Sequence, residues 1–149
     1  MDATALHALA AACGGVLFCG DGTTMVTTIC KDTRTLQSGD LYWALVGENF
    51  DGHDFVGAAA ASGAAGAVVS RSVSDLPDTF PLIRVDDTLS ALQQLASWYR
   101  GRLKARVICL TGSNGKTSTK DFAAAVTATR FAVNKTEGNL NNHIGLPLT

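Results

Sequence analysis

Between Arg106 and Thr129 the chain reads RVICLTGSNGKTSTKDFAAAVTAT: an apolar run, a glycine-flanked turn and an alanine-rich stretch in immediate succession. No other feature restricts the fold as much. An apolar strand that passes through a tight loop straight into a helix is the opening of a βαβ unit, the building block of a parallel sheet. The pattern predicts a buried strand over 106–111, a tight loop over 112–115, a helix over 116–129 and a second short strand over 131–133.

The turn also carries chemistry. Glycines at 112 and 115 let the backbone bend sharply and approach a bulky anion. The N–H groups at the start of a helix lack intrahelical partners, so those around Gly112, Ser113, Asn114, Gly115 and Ser118 can point at phosphate oxygens. Lys116 adds a compact positive charge, and the Thr117 hydroxyl is suited to ligate a magnesium ion bridging the phosphates of ATP. The spacing departs from the common phosphate loop, which has four residues between its first glycine and the Gly-Lys pair. Here only Ser113 and Asn114 intervene, and Leu110 stands where that first glycine would be. The same residues could form a ligand-free strand-to-helix turn, but the apolar run before them and the helix after them favour phosphate binding. Removing the Lys116 ammonium should forfeit charge-assisted contacts of about 1.5–3 kcal/mol each.

Upstream, short β-rich runs alternate with loops: Thr24–Ile29, Leu41–Leu45, Ala67–Ser70 and Leu82–Val85. Asp54–Ser62 reads as a helix with small residues, ended by Gly63. Over residues 86–104, Leu89, Leu92, Leu95 or Ala96, and Tyr99 recur at helical spacing, Asp87 or Thr88 is placed to cap, and Arg100, Arg102 and Lys104 suit the negative end of the dipole. The expected organisation is therefore α/β: a small α/β domain over 1–85, a connecting helix over 86–104, and from 105 to 149 the first βαβ unit of a parallel-sheet domain of P-loop type.

Composition removes several classes of function. With 46% hydrophobic and 17% charged residues the 149-residue chain has the balance of a folded domain. A net charge of −1 provides no broad cationic field for nucleic acid or an anionic membrane. No run approaches the ~18 apolar residues that span a bilayer. The alanine-rich stretch Ala3–Phe18 invites comparison with a secretory signal, but Asp2 supplies the wrong charge and His7 interrupts it. Leu6, Leu9, Ala10 and Cys13 fall instead on one face of an amphipathic first helix. Cys13, Cys19, Cys30 and Cys109 form no paired motif, and His7, His53 and His143 are scattered, so free thiols in a reducing cytoplasm are expected rather than a disulfide framework or a zinc site.

Two blocks, TGSNGKTSTK at 111–120 and NKTEGNLNNHIGLPLT at 134–149, closely resemble the Mur ligases of peptidoglycan synthesis. Upstream, Asp32-Thr33-Arg34, Ser38-Gly39-Asp40-Leu41, Ala44-Leu45 and Asp51-Gly52-His53-Asp54-Phe55 resemble the family's UDP-substrate domain. The Gly138-Asn139-Leu140-Asn141-Asn142 segment with Ile144-Gly145-Leu146-Pro147 is most similar to the MurF branch, whose members add D-alanyl-D-alanine to UDP-N-acetylmuramoyl-tripeptide, and less so to the sister MurE branch.

The resemblance implies roles. Thr33 and Arg34 would meet the nucleotide-sugar, Arg34 through planar pairing with phosphate oxygens, and Asp51, Gly52 and His53 would form a loop near the same ligand. Arg34 could equally form a local ion pair, and His53 could serve as a cap or packed ring. Thr136, Asn139 and Asn142 would lie beside the nucleotide and the substrate, with Asx turns as the alternative use of each asparagine. The implied enzyme is an ATP- and Mg2+-dependent ligase of cell-wall synthesis, cytoplasmic, monomeric at full length and acting on small molecules. Such enzymes also serve cell shape, division and the cell cycle. Because the chain stops at Thr149 inside a family motif, a fragment inactive by itself is expected. The competing expectation is a non-catalytic nucleotide-sugar-binding module.

Overall fold

Residues 41–45 supply the key to the architecture, because both of their faces are apolar. Leu41, Trp43 and Leu45 point to one side and Tyr42 and Ala44 to the other, and all five are buried. A strand apolar on both faces must lie inside a sheet covered by helices above and below. The computed structural model, which describes residues 1–136, 140 and 142–149, has this arrangement.

In chain order the elements begin with Thr4–Ala5 (β1), Leu6–Ala12 (α1), Val16–Phe18 (β2), Met25–Val26 (β3), Ile29–Cys30 (β4) and Leu41–Trp43 (β5). A 3₁₀ turn at Gly52–Phe55 leads into Val56–Ala61 (α2), followed by Gly66–Val69 (β6), Leu82–Arg84 (β7), Thr88–Arg102 (α3) and Lys116–Ala128 (α4). The main sheet has five strands in the order β2-β7-β6-β5-β4. Strands β4 to β7 are parallel, in registers such as Tyr42 opposite Ala67 and Val68 opposite Ile83, and β2 closes one edge antiparallel to β7. A two-stranded β1–β3 ribbon stands apart.

Each face has its own core. On one side α1 and α3 bring Leu6, Leu9, Leu92 and Leu95 against Trp43, Val68 and Ile83. On the other, Val56 and Ala59 of α2 pack on Tyr42, Ala67 and Val69. The Asp87 carboxylate caps α3 by accepting the Ser90 N–H at 2.7 Å, and the buried Trp43 indole donates to the Thr88 carbonyl at 2.7 Å. Gly63 closes α2 with its N–H on the Ala60 carbonyl.

Several expectations need correction. The first helix stops at Ala12, and Val16–Phe18 turns into the edge strand β2. The run Thr24–Ile29 is two strands in two sheets: β3 pairs with β1 ahead of α1, and after the exposed Thr27–Thr28 step β4 pairs with β5. The apolar segment 106–111 forms no strand, and neither does 131–133. A strand persists only where neighbours accept its backbone groups, and among the described residues none lies alongside these segments. Ile108 is accordingly 72% exposed. The helix α4 forms nearly as expected, yet Phe122 and Val126 on it also face solvent. Of the anticipated βαβ unit, only the turn and its helix are built.

Candidate functional site

Parallel strands deliver their following loops to one edge of the sheet, the edge where open α/β sheets bind ligands. The turns after β4, β5 and β6 therefore share one rim. In the first turn, the Asp32 carboxylate accepts from the Arg34 backbone N–H at 3.0 Å and from the guanidinium Nε at 2.9 Å, and pairs with its terminal nitrogen at 2.5 Å. These bonds, led by those from the Arg34 side chain, hold the Asp32 carboxyl down at about 2. The Arg34 side chain is 86% exposed, so this pairing is held in open solvent, where an ion pair contributes little and an incoming anion can compete for the guanidinium. Thr33 is half-buried beside it.

The turn after β5 is tighter. The Gly47 N–H donates to the Phe50 carbonyl at 2.9 Å, Val46 pairs with Asp51, and the Gly52 N–H donates to the Leu45 carbonyl at 2.8 Å. A Cβ on Gly52 would sit 2.6 Å from the Leu45 carbonyl oxygen, so only glycine lets the two backbones approach. Burial pushes the Tyr42 hydroxyl up to about 12, helped by Cys30, Asp32 and Asp51 nearby, and it donates to the Gly52 carbonyl at 3.0 Å.

His53 is only 2% exposed, and both ring nitrogens are taken. The Ser70 backbone N–H lies 2.8 Å from Nε2 and can only donate, so Nε2 carries the lone pair. The proton then sits on Nδ1 and is donated to the Asp51 carboxylate at 2.5 Å. Ser70 Oγ is 3.3 Å from Nε2, which makes an Asp–His–Ser alignment. It is not a nucleophilic triad, because the Nε2 lone pair that would take the serine proton already accepts from the main chain. Arg71 Nε meets Asp51 at 3.0 Å, and its terminal nitrogen meets Asp54 at 2.6 Å. His53, Asp54, Arg71, Ser72 and Ser74 line an open cavity of about 480 Å3 beside this network.

The second cluster is the loop before α4. Gly112 has φ +142° and Gly115 φ +77°, conformations that L side chains rarely adopt, and Ser113 and Asn114 form the bend between them. The helix starts at Lys116 without a side-chain cap, leaving its first N–H groups available to an anion. The Lys116 ammonium folds across the loop to the Gly112 carbonyl at 2.5 Å, while Thr117 and Ser118 are exposed at the helix start. The donor set suits magnesium arriving with a nucleotide: one hydroxyl from Thr117, with phosphate oxygens and water completing the shell. Among the described residues no group of three or more His, Cys, Asp or Glu could cage a metal.

Downstream, Thr136 is half-buried, and its carbonyl accepts from the Lys120 ammonium. Asn142 makes an Asx turn, its Oδ1 accepting from the N–H groups of Ile144 at 3.2 Å and Gly145 at 2.7 Å. Asn139 lies outside the described residues. All four cysteines are free thiols, Cys13 and Cys30 buried, Cys19 and Cys109 exposed. Arg71 and Lys120 escaped the sequence reading. The signal for Arg71 was its place as the first charged residue after the apolar β6 run, at the binding edge of the sheet.

Comparison with known proteins completes the description. Residues 25–100 match the model of the Mur ligase family, catalytic domain, and residues 110–149 that of the Mur ligase middle domain. The UDP-N-acetylmuramoyl-tripeptide–D-alanyl-D-alanine ligase of Bacillus subtilis (strain 168) is 52% identical over 126 residues, 85% of this chain and 28% of that protein. A crystal structure of MurF from Acinetobacter baumannii aligns with a TM-score of 0.90 at 34% identity, covering 99% of this chain and 32% of that one. MurF from Thermotoga maritima, in complex with ADP, aligns with a TM-score of 0.73 at 32% identity, covering 83% and 28%. The chain spans a little over a quarter of the length of the curated relatives it matches.

Proposed function

Because the chain belongs to the Mur ligase family, we propose that it carries the UDP-substrate and ATP-gripping portions of a ligase joining D-alanyl-D-alanine to UDP-N-acetylmuramoyl-tripeptide. The observation that carries this reading is the Gly112–Thr117 turn, where two left-handed glycines, an uncapped helix start and a lysine ammonium converge. The ADP complex of a similar structure supports the nucleotide assignment.

In this reading the tripeptide's terminal carboxylate attacks the γ-phosphorus of ATP, giving an acyl phosphate and ADP. The dipeptide amine then attacks the acyl carbon, and inorganic phosphate leaves with the bonding pair as the amide forms. The first step brings two anions together, so the protein's contribution is positioning and charge neutralisation. Lys116 and the N–H groups around Gly112, Ser113, Asn114, Gly115 and Ser118 hold the phosphates, and the Thr117 hydroxyl would hold Mg2+, which would supply neutralisation of phosphate charge. Thr33, Arg34 and Asp51 frame the nucleotide-sugar, with Gly52 and the internally bonded His53 fixing the turn beneath it. Thr136, Asn139 and Asn142 are assigned to contact with substrate.

The same reading divides the chain into a substrate domain over 1–85, a connecting helix over 86–104 anchored on the first sheet through Ala91, Leu92 and Leu95, and a nucleotide-binding part from 105 onward. It also implies a cytoplasmic monomer whose partners are small molecules, with Mg2+ required and roles in cell shape and division. No helix among the described residues is long and apolar enough to cross a membrane.

The test is phosphate release by the full-length gene product, expected only when ATP, UDP-muramoyl-tripeptide and D-Ala-D-Ala are all present. Lys116→Ala should weaken ATP binding by up to roughly a hundredfold, the loss of a contact worth about 1.5–3 kcal/mol, measured by calorimetric titration. A Lys116→Ala enzyme that ligates as fast as its parent would overturn the assignment.

A further inference from the structure

Two links tie the segment after α4 back onto that helix, and they run in opposite directions. From the helix, the Lys120 ammonium donates to the backbone carbonyl of Thr136. From the segment, the Lys135 ammonium meets the Asp121 carboxylate at 2.7 Å. Adjacent helix residues thereby hold adjacent segment residues. The links differ in consequence. Both partners of the Lys135–Asp121 pair are substantially exposed, where such pairs contribute little. The Lys120 contact is partly buried and ends on a main-chain oxygen, so it fixes the path of the chain itself.

The direction of that path follows from helix geometry. Side chains on an α-helix lean toward its N-terminus. Lys120 lies four residues after Lys116, on the same face and one turn further along. The Lys120 ammonium therefore ties the Thr136 carbonyl to the helix that begins where the phosphate loop ends. The two lysines therefore divide the work, Lys116 spanning the loop and Lys120 holding the chain at Thr136.

We propose that Lys120 is a positioning residue of the ligase reaction: it anchors the Thr136 backbone against α4, the helix that begins at the phosphate loop, so that Thr136 keeps one register relative to that loop. This rests on the ligase reading above. The test uses the full-length enzyme. Lys120→Met is expected to lower kcat about tenfold to a hundredfold, the scale of an ångström-sized misplacement near the chemistry. The KM for ATP should stay within about twofold, because phosphate binding remains with Lys116. Lys120→Arg, which keeps a cationic donor at an altered reach, should fall between parent and Lys120→Met, and Asp121→Asn should leave kcat within about twofold. Hydrogen exchange in the ATP-free protein should quicken at the 134–136 amides in Lys120→Met.

A KM for ATP that rises as far as in Lys116→Ala would make Lys120 a phosphate ligand and overturn the proposal. So would an unchanged kcat or unchanged exchange. If Lys120→Met fails to fold, Lys120→Arg decides by the same split between kcat and KM. A parent enzyme without substrate-dependent phosphate release would instead sink the ligase reading, while the exchange comparison would still report whether the anchor exists.

Discussion

Asp51 accepts three hydrogen bonds, from the His53 backbone N–H, the His53 ring and Arg71. Burial works to raise its pKa, but those donors outweigh it and hold the carboxyl at about 2. A carboxylate depressed in the folded state contributes stability that is complete above its unfolded value of about 3.9 and disappears as pH falls through the folded value. Asp51→Asn should therefore lower thermal stability at neutral pH by roughly 1–3 kcal/mol, the scale for weakening hydrogen bonds to a charged group. The gap between variant and parent should close as pH falls from about 4 to about 2, followed by calorimetry across that range. A gap independent of pH would mean that the carboxylate charge is not what matters. At this scale the sequence is informative only where the chemistry is local. The turn with its two glycines and the helix start at Lys116 are legible because their signals lie within seven consecutive residues, 111–117. His53 is not, because the N–H that consumes its Nε2 comes from Ser70, 17 positions away.

Among the elements, α3 shows how a helix is written into a sequence. Its apolar residues recur at helical spacing, its carboxylate cap satisfies the Ser90 N–H, and its last turn carries Arg100 and Arg102. Arg102 stacks 4.6 Å over the Trp98 ring, and Arg100 donates to the carbonyls of Leu103 and Ala105 beyond the helix end. Replacing the cap with Asp87→Ala should cost about 1 kcal/mol, read as a lower midpoint in urea with an unchanged slope. The expected helix over 86–104 and the observed Thr88–Arg102 agree because every one of these signals is local. Strands are less readable for the opposite reason. The apolar run at 106–111 carries all the composition of a strand, yet pairing is a property of two segments, and its residues find no partner among the described residues. Val16–Phe18 has a weaker pattern but pairs with β7, and so it is a strand.

Taken whole, the chain is unevenly packed. The first hundred residues enclose two cores around a covered sheet, whereas Leu103 to Gly115 is exposed and free of helix or strand, and α4 buries no residue. Limited trypsin treatment of the 149-residue chain should accordingly cut first after Lys104 or Arg106 and leave a resistant amino-terminal product, identified by mass. First cuts at Arg71 or Arg84 would contradict this order of stability. Parallel strand direction has one further consequence. Since β4, β5 and β6 all finish on the same side, the three connections gathered there are unrelated stretches of sequence. Asp32 and Arg34 bond within their own connection, but those after β5 and β6 are tied to each other by His53 to Ser70 and Asp51 to Arg71. A change after β4 therefore stays local, whereas a change at Asp51 or Arg71 is felt in two connections at once.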